Sequence, residues 1–335
     1  MEVVIINQQE VGTLLPMREC IGVMERVFRS LAEGDCSLPL RQIMWLPEKI
    51  GALGLMPSSW GGAGMLGVKV VTFFPGNEGT ELDSHQGAVL LFEAQRGRLL
   101  AMIDATSITA IRTAAVSAVA TKLLATEAAA DLAVIGSGVQ AQMHLEAMRI
   151  ARPITRVRVA SKTLKHAESF ATDQSARHSL TIEPCPTVRE AVEGADLICT
   201  TTSAREPVLQ GDWIKPGVHI NAVGSSVSSA RELDAAAVAK ARLVVDRTES
   251  ALNEAGDFLL AKAEGAIGDD HIAAELGDVL LGRVAGRRSD DEITLFKSVG
   301  LAVEDLAAAL HVYENAKGVG AGERTEFGGS RRATH

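Results

Sequence analysis

Hydrophobic and polar positions follow three different rhythms along the chain. The first third mixes them. Met1-Glu2-Val3-Val4-Ile5-Ile6 predicts an edge strand, and apolar residues at Met17, Ile21, Met24, Phe28 and Leu31 predict an amphipathic helix over 16–33 that ends near Gly34. Residues 40–46 and 52–57 read as short strands. The β-branched and aromatic run Gly67–Phe74 reads as a longer strand, closed by the turn Pro75-Gly76-Asn77. Residues 88–93 and 99–103 form a predicted hairpin around Gln95-Arg96-Gly97-Arg98, and the Ala-rich stretch 107–125 is helix-prone.

From residue 131 the rhythm changes to short apolar runs alternating with helical segments. Strands are predicted at 131–135, 156–160, 180–183, 196–201, 219–223 and 242–245, and helices at 139–150, 163–175 and 188–193. Such alternation implies a parallel sheet with helices on both faces. Towards the end, 291–313 reads as one long amphipathic helix. The tail from Lys317, with Gly318, Gly320, Gly322, Gly328 and Gly329, reads as a loosely ordered or oligomer-contacting arm.

Composition narrows the picture. A length of 335 residues points to two domains, and 47% hydrophobic with 22% charged residues excludes intrinsic disorder. With 4% aromatics and a net charge of −9, nucleic acid and anionic membranes are not expected as partners. The uncharged stretch around 50–68 is broken by glycines and Pro57, so it does not predict a membrane helix, and no signal peptide is read at the N-terminus. Cys20, Cys36, Cys185 and Cys199 lack CxxC spacing, so no metal site is expected; a reducing, cytoplasmic compartment fits.

The sharpest local signal is Gly136-Ser137-Gly138-Val139-Gln140-Ala141, a G-x-G-x-x-A turn between a predicted strand and helix. Its glycines allow a tight turn and close approach of a pyrophosphate, while the helix start offers free N–H groups. At the end of the next strand, Ala160-Ser161-Lys162-Thr163 lacks the carboxylate that usually accepts from an NAD ribose. Ser161, Lys162 and Thr163 suit a 2′-phosphate, so NADP(H) is favoured with NAD(H) possible, unless Lys162 is a solvated helix-start lysine. Lys69 sits inside an apolar strand, Arg112 in the Ala-rich helix and Arg41 at a strand start. They would form a carboxylate clamp if they converge, or remain three unrelated snorkelling residues if they do not. Asp104 reads as a helix-proximal cap, His144 as an isolated histidine, and Asp257 with Asp269-Asp270 as loop acids.

Several stretches together resemble the ornithine cyclodeaminase/μ-crystallin family of NAD(P)-dependent enzymes: Gly67–Val71, Leu100–Ala115, Gly136–Ala141, Asn221–Ser225, Arg231–Asp234 and Phe296–Asp305. The resemblance implies an α/β fold, with a Rossmann-type doubly wound parallel sheet (residues 116–294) inserted into a mixed α+β substrate and dimerisation domain (1–115 with 295–335). It also implies a homodimer. By the same resemblance, Arg41, Met56, Lys69, Arg112 and Ser226 lie on the substrate side, with Lys69 and Arg112 catalytic. Ser84, His85 and Arg112 would approach the cofactor phosphates with Gly136, Gly138, Val139 and Gln140, and Thr201, Thr202, Val223 and Gly224 would line the nicotinamide.

One departure separates activities within the family. Cyclodeaminases carry an aspartate acid/base where this chain reads Ser226, in Gly224-Ser225-Ser226-Val227. Serine cannot replace a carboxylate base. The chain therefore looks like the ketimine reductase branch: hydride transfer from NAD(P)H to the C=N carbon of Δ1-pyrroline-2-carboxylate or its piperideine analogue. Lys69 would then act as acid near the imine nitrogen or share the carboxylate. The alternatives are ornithine cyclodeaminase, an amino-acid or N-alkyl amino-acid dehydrogenase, and a non-catalytic, crystallin-like NADPH-binding protein.

Overall fold

The structure is a computed structural model that describes residues 2–77 and 79–328; Met1 of the first predicted strand and Gly329 of the predicted tail lie outside the described residues. The chain forms two compact units, residues 1–112 with 301–335 and residues 113–300. The first contains β1 (Glu2–Ile6), α1 (Gln8–Leu14), α2 (Met17–Ala32), β2 (Cys36–Ser37), β3 (Gln42–Trp45), β4 (Ala52–Trp60), β5 (Met65–Phe73), β6 (His85–Glu93) and β7 (Leu99–Asp104). Helix α3 (Ala105–Leu124) begins in it and ends in the second unit. The second unit continues with β8 (Asp131–Ile135), α4 (Val139–Ala151), β9 (Arg156–Ala160), α5 (Leu164–His178), β10 (Ile182–Pro184), α6 (Val188–Val192), β11 (Leu197–Thr200) and β12 (His219–Ala222). It is completed by α7 (Ala235–Lys240), β13 (Arg242–Val245), α8 (Thr248–Glu254), α9 (Gly256–Ala263), β14 (Ile272–Glu275), α10 (Leu276–Leu280) and β15 (Thr294–Lys297). The chain then returns to the first unit as α11 (Ala302–Val319) and β16 (Glu323–Glu326).

In the first unit the sheet runs β16-β1-β7-β6-β5-β4-β2, with β3 also paired to β4. Strict alternation gives it two different faces. Met56, Lys69, Val89 and Ile103 stand directly opposite one another across β4, β5, β6 and β7, and all four are buried. Helix α11 covers this face so closely that a Cβ on Gly67 would lie 2.8 Å from Leu306. On the other face Leu55, Val68, Leu90 and Phe92 are half-buried and Leu66 and Met102 exposed, an apolar surface left uncovered among the described residues.

In the second unit the sheet is wholly parallel, in the order β10-β9-β8-β11-β12-β15-β13-β14. Its central strands are buried along their length, as expected of a sheet with both faces covered. Strand order reverses at β8, whose neighbours are β9 on one side and β11 on the other, so a crevice opens beyond their carboxyl ends. The cap residues match the chemistry of helix starts: Thr163 accepts from the His166 N–H to open α5, and Asp234 accepts from Ala237 to open α7.

Four expectations change. Residues 291–313 are not one helix, because Thr294-Leu295-Phe296-Lys297 is a buried strand between β12 and β13, and Gly300, at φ +80°, separates it from α11. Four residues are too few to show a period and read equally well as buried strand or buried helix, which is why periodicity misassigned them. This strand also moves residues 295–300 out of the first unit, and the other boundary falls at 112 instead of 115. The first strand is not an edge, since β16 pairs with it antiparallel, Glu2 opposite Glu326. The segment from Lys317 continues α11 to Val319, is capped by Gly320 at φ +71°, and then supplies β16. Among the described residues, α3 is long and apolar enough to cross a bilayer, yet most of its apolar stretch is buried within the protein.

Candidate active site

Lys69 projects from the covered face of the first sheet, where a bare ammonium would be strongly disfavoured. Its Nζ lies 2.8 Å from Asp305 Oδ2 and donates to Thr109 Oγ1 at 3.2 Å. Asp305 is shared: Arg112 Nε donates to its Oδ1 at 3.0 Å, while Arg112 Nη1 reaches Glu304 Oε2 at 2.6 Å. All four side chains are at most 5% exposed, so two cations and two carboxylates form one closed cluster. Burial pulls the Lys69 ammonium down from 10.5 to about 8; Asp305 opposes this, and Arg112 and Arg41 add to it. Burial also works against charge on Asp305, but Arg112 and Lys69 outweigh it and hold the carboxyl below its ordinary range. Arg112 faces two carboxylates, which outweigh its burial and lift it above its ordinary value.

Several predicted residues meet here. Met56 is the ladder partner of Lys69, and the charge of Arg41 is felt at Lys69. Ser84 Oγ lies 3.1 Å from His85 Nδ1; partial burial and the charge of Lys69 lower the His85 pKa, and its ring packs 4.7 Å from that of Phe73. The expected clamp is thereby corrected in one respect. Arg112 and Lys69 do converge, but each is already paired with a carboxylate, so a ligand would meet a neutralised, hydrogen-bonding cluster instead of a bare patch of positive charge.

The second unit gathers the other set at the carboxyl ends of four adjacent strands, β9, β8, β11 and β12. Gly136 takes φ +114°, and a Cβ there would approach Thr201 O to 2.6 Å, so only glycine fits between the two loops. Gly138 caps α4 without any side-chain hydrogen bond, and a Cβ on it would meet nothing within 4 Å. Open space in front of an uncapped helix start is what a pyrophosphate requires. Val139 and Gln140 form the first turn of that helix. Ser161 Oγ lies 2.8 Å from Ser137 Oγ, and Lys162 is exposed beside it. Thr201 donates to Ile135 O, Thr202 donates to Glu232, and Val223 and Gly224 follow β12. Ser226 lies two residues further on, half-buried. These residues fit a dinucleotide, with the open, uncapped start of α4 available to its phosphates.

Sequence reasoning missed the acids. Glu304 and Asp305 stand in an otherwise apolar helix (Leu301-Ala-Val-Glu-Asp-Leu-Ala-Ala-Ala-Leu310), and a charge in such a run signals a buried partner just as Lys69 did. Asp257, read as a loop acid, is instead buried in α9, where it accepts from the Glu232 and Leu233 N–H groups and pairs with Lys297 at 2.9 Å. Asp104 does act as a cap, accepting from Ser107 N–H. His144 bonds Ser117 Oγ and is pulled down to about 4 by burial, a packed core histidine. Among the described residues, no group of three or more His, Cys, Asp or Glu could hold a metal ion.

An open parallel sheet with a glycine turn at its switch point defines a dinucleotide-dependent oxidoreductase, and the comparisons agree. The ornithine cyclodeaminase/mu-crystallin family profile matches residues 1–320, and the chain belongs to that family. Mouse ketimine reductase mu-crystallin is 44% identical over 283 residues, which is 84% of this chain and 86% of the mouse protein. The Δ1-pyrroline-2-carboxylate reductase of Thermococcus litoralis, solved with NADH and L-proline, is 40% identical with a TM-score of 0.93; the match covers 96% of this chain and 99% of that one. An archaeal alanine dehydrogenase dimer with bound NAD is 35% identical with a TM-score of 0.92, covering 98% of this chain and 100% of that chain.

Replacing Asp305 by Asn removes the one carboxylate shared by two buried cations. Urea unfolding of Asp305→Asn is expected to show a loss of about 3–5 kcal/mol. A loss below about 1 kcal/mol would mean the cluster is not closed as described.

Proposed function

We propose that this chain is an NADP(H)-preferring reductase of small cyclic imino acids, with Δ1-pyrroline-2-carboxylate, giving proline, as the leading substrate and Δ1-piperideine-2-carboxylate as the second. The observation that carries this is the buried lysine: an ammonium shifted to about 8 and held by Asp305 is a proton donor matched to neutral pH. Reduction of C=N adds a hydride to carbon and a proton to nitrogen. When bound, the reduced dinucleotide supplies the hydride. Lys69 Nζ supplies the proton and is reprotonated from water. Arg41 and Arg112 hold the substrate carboxylate, with Asp305 and Glu304 fixing the Arg112 plane; Met56, at the opposing ladder position, bounds the substrate beside Lys69. Ser226 stands where a cyclodeaminase would need an acid/base carboxylate, which favours reduction over ornithine cyclisation.

The similarity to an alanine dehydrogenase keeps open-chain imines in view. Purified protein is expected to oxidise NADPH with pyrroline-2-carboxylate faster than with pyruvate plus ammonia or methylamine, and to release no ammonia from ornithine. Lys69→Met is expected to lose about a hundredfold or more in kcat. Failure of the wild-type protein to reduce any five- or six-membered cyclic imine would overturn the reading.

Cofactor preference rests on Ser161 and Lys162, since Thr163 Oγ1 already caps α5. Lys162→Ala is expected to raise the KM for NADPH about tenfold, the loss of one charge-assisted bond, and to leave that for NADH unchanged. Equal effects on both would argue against a 2′-phosphate contact.

The uncovered face of the first sheet supports a homodimer, as does the dimeric state of the related alanine dehydrogenase. Sedimentation is expected to show a dimer that Leu66→Glu converts to monomer; a monomeric wild-type protein would contradict this. The four free cysteines suit the cytoplasm, where the product would enter proline metabolism.

A further inference from the structure

Glu232 is fully buried, yet nothing in hydride or proton transfer calls for an acid there. Its two oxygens accept from four donors. Oε2 takes Thr200 Oγ1 at 2.8 Å and Gly224 N–H at 2.7 Å, and Oε1 takes Thr202 N–H at 2.6 Å and Thr202 Oγ1 at 2.8 Å. The carboxylate therefore ties the end of β11 to the turn after β12. These are the two loops that carry Thr201, Thr202, Val223 and Gly224. The fit is tight, since a Cβ on Gly224 would lie 2.1 Å from Thr202 O and 2.5 Å from Glu232 Oε1.

Glu232 is itself fixed from behind. Asp257 Oδ1 accepts from the Glu232 and Leu233 N–H groups at 2.7 and 2.9 Å. Lys297 pairs with Asp257 Oδ2 and also donates to Ala222 O at 3.3 Å, on the last residue of β12. Three neighbouring strand ends, β11, β12 and β15, are thus locked through one line of buried charges. The glycine turn at 136–138 and the phosphate-side residues Ser161 and Lys162 lie outside this line.

We infer that Glu232 is a positioning residue that sets the spacing of the two nicotinamide-side loops, and so the placement of the ring that delivers hydride. This rests on the reductase reading above. Binding strength then comes mainly from the α4 and β9 ends, while Glu232 governs reactivity of what is bound. Glu232→Gln replaces one oxygen by an NH2 that cannot accept from its two donors. In the variant, kcat for imine reduction is expected to fall about tenfold to a hundredfold, the range for a small misplacement of reacting groups. The NADPH dissociation constant is expected to change little, and the fluorescence enhancement of bound dihydronicotinamide to decrease. Thr202→Val removes one of the four bonds to Glu232, together with the bond that the hydroxyl accepts from the Ala204 N–H, and should shift both readouts in the same direction, more weakly; it carries the test if Glu232→Gln does not fold. A folded variant with wild-type kcat and wild-type bound-cofactor fluorescence would overturn the inference. A wild-type protein without imine reductase activity would overturn the reductase reading instead.

Discussion

The arrangement in the first unit depends on keeping one lysine charged at a position almost withdrawn from solvent. Lys69 sits in a row of otherwise apolar residues, and its burial is compensated by a single carboxylate that it shares with Arg112. Sharing matters. A private carboxylate would hold the ammonium near its ordinary pKa, whereas one divided between two cations offsets only part of the desolvation. The outcome is an ammonium whose pKa falls to about 8 and an arginine whose plane is fixed by two acids on α11. Gly67, directly under Leu306, lets that helix come close enough for Asp305 to reach the strand.

The second unit solves a different problem with the same means. A parallel sheet places every strand end on one side, so four βα loops converge without further instruction. Their spacing still has to be fixed, and buried carboxylates do this: Asp257 orients the backbone of Glu232, and Glu232 gathers the loops after β11 and β12. Both units thus use buried charges held by ion pairs or hydrogen bonds, which makes their geometry stiff and their loss costly.

Much of this was legible in the sequence where local chemistry dictates local form. The glycine turn, the strand β8 before it and the helix α4 after it follow from a few residues, and Lys69 stood out as a charge in an apolar strand. The strand Thr294–Lys297 was illegible because four residues, only two of them apolar, carry no period of their own beside a real helix. Pairing of β16 with β1 joins opposite ends of the chain, and nothing local announces it. The partners of Lys69 and Arg112 are separated from them by nearly two hundred residues or more, so convergence is a property of the fold, even though two acids in an apolar helix hinted at it.

The most direct test of the Lys69 environment is the titration of its ε-carbon by NMR in 13C-lysine-labelled protein, assigned with Lys69→Arg. A midpoint near 8 is expected, so that the ammonium form, and with it proton donation, is lost as pH rises through that value. Removing Asp305 should lower the midpoint further. A midpoint at the ordinary lysine value of 10.5 would contradict the shared-carboxylate cluster and the role given to Lys69.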